Sequence, residues 1–366
     1  MLTDQSGRIP GLDGLRAVSL LLVLSVHMSY SKHFLSKSMI HWLEYCDLGD
    51  LGVRVFFVIS GFLITTLLLR EGKKYGSISL GHFYTRRCFR ILPPCYFYIA
   101  VIGLIVFFGG LALEAKEFLY AVTYTMNYSR EHGWQMGHLW SLAVEEQFYF
   151  IWPAVMAFSG PKRSMYFAFA VICIVPWIRF TYLVLHIYPA GQIITKPFEA
   201  CCDGLAVGCL LAGIRGWLGS QKLYQDYLHS ALPYTLPVGI LFCNSLFQWP
   251  RIHLVVGIPL ENILIALLID WVVRMPETMA GRFLELRFIR RIGVLSYSIY
   301  LWQQLFCTQF RFGDTWWGQF PMNLLFSIIC GWLSYVLVER PALRLRDLVE
   351  KRFPQRQPVA LTTSIS

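Results

Sequence analysis

Arg16 and His27 stand eleven positions apart in a run that is otherwise apolar, Ala17 through Val26. On a helix that separation is roughly 16 Å. An imidazole at membrane depth is suited to proton transfer or to carrying a transferred group, and an ionisable residue there is a functional-site hypothesis by default. The plain alternative is a histidine that hydrogen-bonds a neighbouring helix and does nothing more. A second set, Arg86, Arg87 and Arg90, precedes Ile91-Leu92-Pro93-Pro94. Arg87 and Arg90, at i and i+3, share one helix face, and guanidinium groups gathered this way suit bidentate binding of phosphate. Lys73 and Lys74 read as ordinary anchors at a span's end. A third set, Arg54, Glu145, Glu146, Arg179, Asp203 and Glu261, is scattered through apolar segments. No glycine-rich phosphate loop and no metal-ligand spacing accompanies these residues.

The elements that must position them are membrane helices. Mean hydropathy is +0.50, and 56% of residues are hydrophobic against 15% charged, well below the quarter usual for soluble domains. The expected fold class is an all-α polytopic membrane protein of about ten transmembrane helices. The spans fall near 12–31, 51–69, 91–110, 139–157, 165–185, 198–214, 231–247, 253–273, 292–311 and 319–338, with a re-entrant or interfacial piece at 118–127. Residues 1–345 form the membrane domain, and 346–366 a basic tail, disordered after Pro354. Placing the N-terminus inside puts about 23 of the 32 Lys and Arg residues on the cytoplasmic side, and both termini are then cytoplasmic. The net charge of +10 does not indicate nucleic acid, because the basic residues sit at helix ends. No cleavable leader is expected, since Asp13 and Arg16 interrupt the first apolar run. The ten cysteines lack disulfide spacing and read as small packing residues.

In this topology His27, Arg54, Glu145, Glu146, Arg179, Asp203 and Glu261 share one outer layer, with the two glutamates roughly 10 Å below the membrane surface. The expectation is a polar chamber opening outward. The competing reading is a set of ion pairs that lock helices, such as Glu146–Arg179 or Asp203–Arg54. The arginines Arg16, Arg87 and Arg90 belong to the cytoplasmic side. A long, phosphate-headed donor could bridge the two sites, and coenzyme A fits that outline, although composition cannot name it.

These residues fall in motifs that resemble the integral-membrane acyltransferase-3 family, which includes bacterial O-acetylases of lipopolysaccharide O-antigen and other surface glycans. The resemblance covers nearly the whole chain. It runs through Leu-Asp-Gly-Leu-Arg16 with His27, Gly52 to Ile64, and Arg87-x-x-Arg90 with Ile91-Leu92-Pro93. It continues through Trp140-Ser141-Leu142 to Tyr149, Leu295 to Trp302, and Val338-Glu339-Arg340-Pro341. It implies transfer of an acyl group, usually acetyl, from cytoplasmic acyl-CoA to a hydroxyl on the outer side of a bacterial inner membrane, without a metal. On the matching positions His27 is the catalytic residue, as general base or as acyl carrier, with Arg16 as its partner or a donor contact. Arg87 and Arg90, with Arg86 beside them, would hold the donor's phosphates. Glu146 would orient or protonate groups in the chamber. Arg54, Arg179, Asp203, Glu261 and Tyr149 would line it toward a glycan or lipid-linked sugar acceptor, with Arg54 or Arg179 steadying an oxyanion.

Two departures matter. Many members have Trp-His in the ninth span, whereas Trp302 is followed here by Gln303 and Gln304. Some members also carry an extracytoplasmic hydrolase-like domain after the tenth span, so the acceptor here is expected to meet the membrane portion directly. The rival reading is a solute transporter, which also places charge at mid-membrane; a purely structural subunit would leave the charged layer unexplained. The acceptor's identity and the oligomeric state are not legible in the sequence.

Overall fold

The computed structural model describes residues 8–29, 46–188, 194–308 and 315–352, with isolated positions between 30 and 45. Among the described residues the chain is helical and contains no strand. We label the main helices α1 (Leu12–Ser29), α2 (Leu48–Tyr75), α3 (Leu80–Phe107), α4 (Leu139–Val184), α5 (Asp203–Ser220), α6 (Leu236–Ser245), α7 (Ile258–Arg274), α8 (Arg287–Phe306), α9 (Met322–Ser334) and α10 (Arg340–Glu350). Each of the ten expected spans has helix beneath it. Among the described residues six helical stretches are long and apolar enough to cross a membrane, or seven if the bent pair Lys222–His229 and Leu232–Gln248 counts as one span. The helices that fall short do so for visible reasons. α5 carries Asp203 and Arg215, and α8 opens on Arg287, Arg290 and Arg291.

Local chemistry explains several boundaries. Within α4 the helical backbone is interrupted at Gly160, which sits at φ 74°, a value that only glycine adopts readily. Ser164 Oγ reaches back to Val155 O at 3.4 Å, although nine residues of straight helix would separate them by roughly 13 Å. The chain therefore turns sharply here, and 139–159 and 161–184 are two arms, matching the fourth and fifth expected spans. α3 begins at Ser79, whose side chain accepts from His82 N, and continues through Pro93 and Pro94 rather than starting at them. The prolines remove two backbone donors, and in the same turn Tyr297 Oη donates to Ile91 O at 2.7 Å. Arg86, Arg87 and Arg90 thus stand on the first turns of the spanning helix itself. Ala115–Val122 is a separate eight-residue helix, too short to cross. α10 runs across the expected boundary at 345/346 and exposes Leu345 and Leu348; the tail beyond Arg352 lies outside the described residues.

At the centre, α2 is covered by α1 on one side and α5 on another. Ser19 Oγ donates to Gly52 O at 2.5 Å across the α1–α2 contact. Across the α2–α5 contact, a Cβ on Gly61 would overlap Leu205 O and one on Gly208 would overlap Val58 O. Small residues are what let two membrane helices approach so closely. Gly208→Leu should therefore destabilise the fold by about 1–3 kcal/mol or more, the usual cost of overpacking. Gly216→Leu on the same helix, where a Cβ meets nothing within 4 Å, should be near neutral. Thermal midpoints of the detergent-solubilised variants check this, and equal midpoints would show that the crossing is loose.

Candidate active site

α1 positions both ends of the site. Eleven residues at about 100° each bring His27 to within about 20° of Arg16's face, three turns further along. α3 presents Arg87, Arg90 and Ile91 as an i, i+3, i+4 stripe, and the first arm of α4 presents Ser141, Glu145 and Tyr149 at i, i+4, i+8. Those two stripes, with Arg16, Ser60, Tyr297 and Tyr300, wall a pocket of about 740 Å³. Three cations therefore share one wall system with one acid. Ser60 Oγ donates to Glu145 Oε1 at 2.5 Å, and the Arg87 guanidinium lies 4.5 Å over the Tyr149 ring. Among the described residues Arg16, Arg87 and Arg90 make no hydrogen bond or ion pair.

This pocket is one of three that share walls. Arg87 and Arg90 also line a broad vestibule of about 1820 Å³ with Arg70, Lys74, Arg86 and Arg346. Arg86 belongs to the vestibule alone, where it pairs with Glu350 of α10. At the other end Val53 and Phe57 separate the inner pocket from a chamber of about 340 Å³ that contains Asp50, Arg54, Arg179 and Asp203. The lining residues thus run in series from the basic end of the bundle into its interior.

Within the chamber the charges are paired, but not as the sequence suggested. Arg179 makes a bidentate bond to Asp203, at 3.0 and 2.9 Å, and its remaining donors reach Ala200 O and Leu254 O. Arg54 donates to Glu261 Oε1 at 2.7 Å and Asn244 Oδ1 at 2.6 Å. Arg179 has Asp203 in place of the expected Glu146, and Arg54 has Glu261 in place of the expected Asp203, because depth alone ranks residues along the membrane and says nothing of direction around each helix. Glu146 points away from the pocket, toward Cys88 and Cys95 of α3, and its Oε1 is buried without a partner. Its neighbour Glu145 is the acid on the wall. Tyr149, placed with the chamber from the sequence, instead lines the inner pocket beside Arg87.

His27 is half-buried, with Nδ1 2.8 Å from Gln303 Oε1 and its ring edge-on to Trp134 at 5.4 Å. With the amide so oriented Nδ1 must donate, which leaves the lone pair on Nε2. Asp50, a chamber residue, lies within electrostatic reach. The sequence reading passed over His138. It is buried, its backbone N–H donates to Gln304 Oε1 at 3.0 Å, and its ring Nε2 lies 3.1 Å from Leu301 O. The two glutamines that follow Trp302, where a histidine was expected, thus bond one histidine residue each. The position of His138 between a short helix and α4 gave no periodic signal.

Three guanidiniums without a hydrogen-bond or ion-pair partner among the described residues and, three turns along α1, an imidazole held by Gln303 are parts that a membrane-embedded group-transfer site needs. The sequence profile described as an acyltransferase domain matches residues 9–338, and the chain belongs to that family, acyltransferase-3. It is 27% identical to the putative peptidoglycan O-acetyltransferase YrhL of Bacillus subtilis, over 93% of this chain and 55% of the relative. It is also 27% identical to the O-acetyltransferase OatA of Staphylococcus aureus, over 91% and 57% respectively. The peptidoglycan O-acetyltransferase OatA of Listeria monocytogenes matches at 27% over 80% and 48%. The chain therefore spans about half the length of the curated relatives it matches. No solved structure matches it.

Removing one partner of a buried ion pair strands the other, at a cost of about 3–5 kcal/mol. Arg179→Ala should accordingly lower the thermal midpoint more than the double change Arg179→Ala with Asp203→Ala. A double variant no more stable than the single would show that the pair is not the reason for Arg179.

Proposed function

We propose that the protein transfers an acyl group, acetyl in the first instance, from acyl-CoA at the cytoplasmic face of a bacterial inner membrane to a sugar hydroxyl on the outer side. The observation that carries this reading is the set of guanidiniums without a hydrogen-bond or ion-pair partner among the described residues, Arg16, Arg87 and Arg90, around one pocket, with His27 three turns from Arg16 along α1. Unpaired buried cations are costly, and a polyphosphate ligand offsets that cost with charge-assisted bonds. Under this reading the vestibule is the donor's entrance, with ten spans and both termini cytoplasmic by the excess of Lys and Arg at that end. The acceptor is a surface glycan or its lipid-linked precursor. The relatives' printed names point to peptidoglycan, and O-antigen sugars offer the same hydroxyl chemistry.

His27 Nε2 takes the proton from the acceptor hydroxyl as that oxygen attacks the thioester carbonyl. The tetrahedral oxyanion collapses, the C–S bond breaks, and the proton passes from His27 to the thiolate. The products are an O-acyl sugar and free CoA. Gln303 holds the ring so that Nε2 is the basic nitrogen.

Inner-membrane vesicles given labelled acetyl-CoA on the cytoplasmic face and a glycan acceptor on the other test the proposal. His27→Ala should reduce label transfer by about 10²–10⁴-fold, the contribution usual for a general base, while remaining folded; normal transfer would refute it. Arg87→Ala with Arg90→Ala should raise the Kd for acetyl-CoA by at least about tenfold, each lost charged contact being worth about 1.5–3 kcal/mol. Unchanged affinity would remove the phosphate role.

A further inference from the structure

A second cationic cleft lies at the same end of the bundle, on the other side of the last turns of α2. It spans about 1480 Å³ and is lined by Arg70 and Lys73 of α2, Arg215 of α5 and Arg274 of α7. One carboxylate serves two of these four cations. Asp270 accepts from Arg215 Nε and, at 2.6 Å, from Arg274 Nε, and takes a third bond from Tyr224 Oη at 2.7 Å. Arg70 Nη2 is buried without any partner, and Lys73 makes no ion pair among the described residues. The excess is about three positive charges. Cations at a helix C-terminus complement its dipole, which accounts for Lys73 and Lys74. It does not account for two guanidiniums from other helices crowded onto one acid beside an unpaired third. The rest of the wall is apolar, including Leu69, Leu228 and Val273, and Trp217 and Leu223 are exposed nearby on the same elements.

We propose that this cleft is a binding site for a phosphate ester, distinct from the inner donor pocket, with Arg70 on the border between the cleft and the vestibule. Guanidinium forks and an ammonium provide the charge-assisted donors such an anion takes, and basic pockets between membrane helices at an interface recognise anionic headgroups. The ester can come from a phospholipid, whose acyl chains would follow the apolar wall, or from a free phosphorylated solute. The inference does not depend on the acyl-transfer reading.

Lys73 and Lys74 make the test possible, because the first lines this cleft and the second lines the vestibule. The full chain is reconstituted in nanodiscs of phosphatidylcholine mixed with phosphatidylglycerol, and retained lipid is counted by native mass spectrometry. In parallel, glycerol 3-phosphate is titrated against the detergent-solubilised protein while its thermal midpoint is followed. Wild type and Lys74→Gln/Lys351→Gln should retain phosphatidylglycerol above its share of the nanodisc, and Arg70→Gln/Lys73→Gln should lose that enrichment. A midpoint raised by glycerol 3-phosphate without lipid enrichment, and lost in the same double variant, supports the site with a soluble ligand. Neither effect in wild type, or equal loss in both double variants, overturns the proposal. If Arg70→Gln/Lys73→Gln is not recovered folded, Lys73→Gln is compared with Lys74→Gln by the same readouts.

Discussion

A charge placed among apolar helices has to be neutralised by the protein or by a ligand, because lipid offers it no partner. That requirement organises the molecule. Arg54 is spent on Glu261 and Arg179 on Asp203, so α2 is tied to α7 and the second arm of α4 to α5. Both acids are almost fully buried, and both pairs leave the cations well furnished with additional oxygen acceptors. These contacts fix the bundle around the chamber rather than offering it free charge. Against that background the cations left without partners stand out. Arg16, Arg87 and Arg90 face one pocket together, where the only acid on the wall is already bonded by Ser60.

The helix packing decides where such a pocket can exist. α2 is pressed closely against α5 at Gly61 and Gly208 and against α1 at Gly52, so little space remains there. The inner pocket opens instead on another face of α2, where α1, α3, the first arm of α4 and α8 meet it with large side chains such as Phe57, Tyr149 and Tyr300 between them. α1 is shared by both parts of the proposed reaction. Its pitch carries Arg16 at the inner pocket and His27 three turns away on nearly the same face, so donor phosphates and the basic nitrogen are set at a fixed separation by one rigid element.

Much of this was legible from residue types and spacing. Arg87 and Arg90 did share a face with each other and a cavity with Arg16, because i and i+3 on a helix leave little choice. The single outer layer expected from hydropathy and direction divides in the structure: Arg54, Arg179 and Asp203 share the chamber, whereas Glu145 lines the pocket with Arg16, Arg87 and Arg90. The direction of each side chain around its helix was not legible. α2 and the second arm of α4 are apolar on nearly every side, so no polar stripe orients them, and the partners of Arg54 and Arg179 could not be assigned. For Glu145 against Glu146 a signal existed: Ser141, Glu145 and Tyr149 recur every fourth residue, which favours Glu145 as the pocket acid. The reversal at Gly160 was readable as two spans, since Pro161 and Lys162 follow it. His138 was invisible because it becomes a neighbour of the site only through contacts with Gln304 and Leu301, more than 160 residues away.

The central claim is that the pocket beside Arg16, Arg87 and Arg90 receives the donor's phosphates and directs its acyl end toward His27. A structure determined by electron cryo-microscopy with a non-hydrolysable acetyl-CoA analogue measures this directly. The account predicts phosphate density against the three guanidiniums, with the acyl carbonyl beyond Tyr149 on the His27 side of the pocket. Density for the nucleotide elsewhere, or an acyl end turned back into the vestibule, would contradict it.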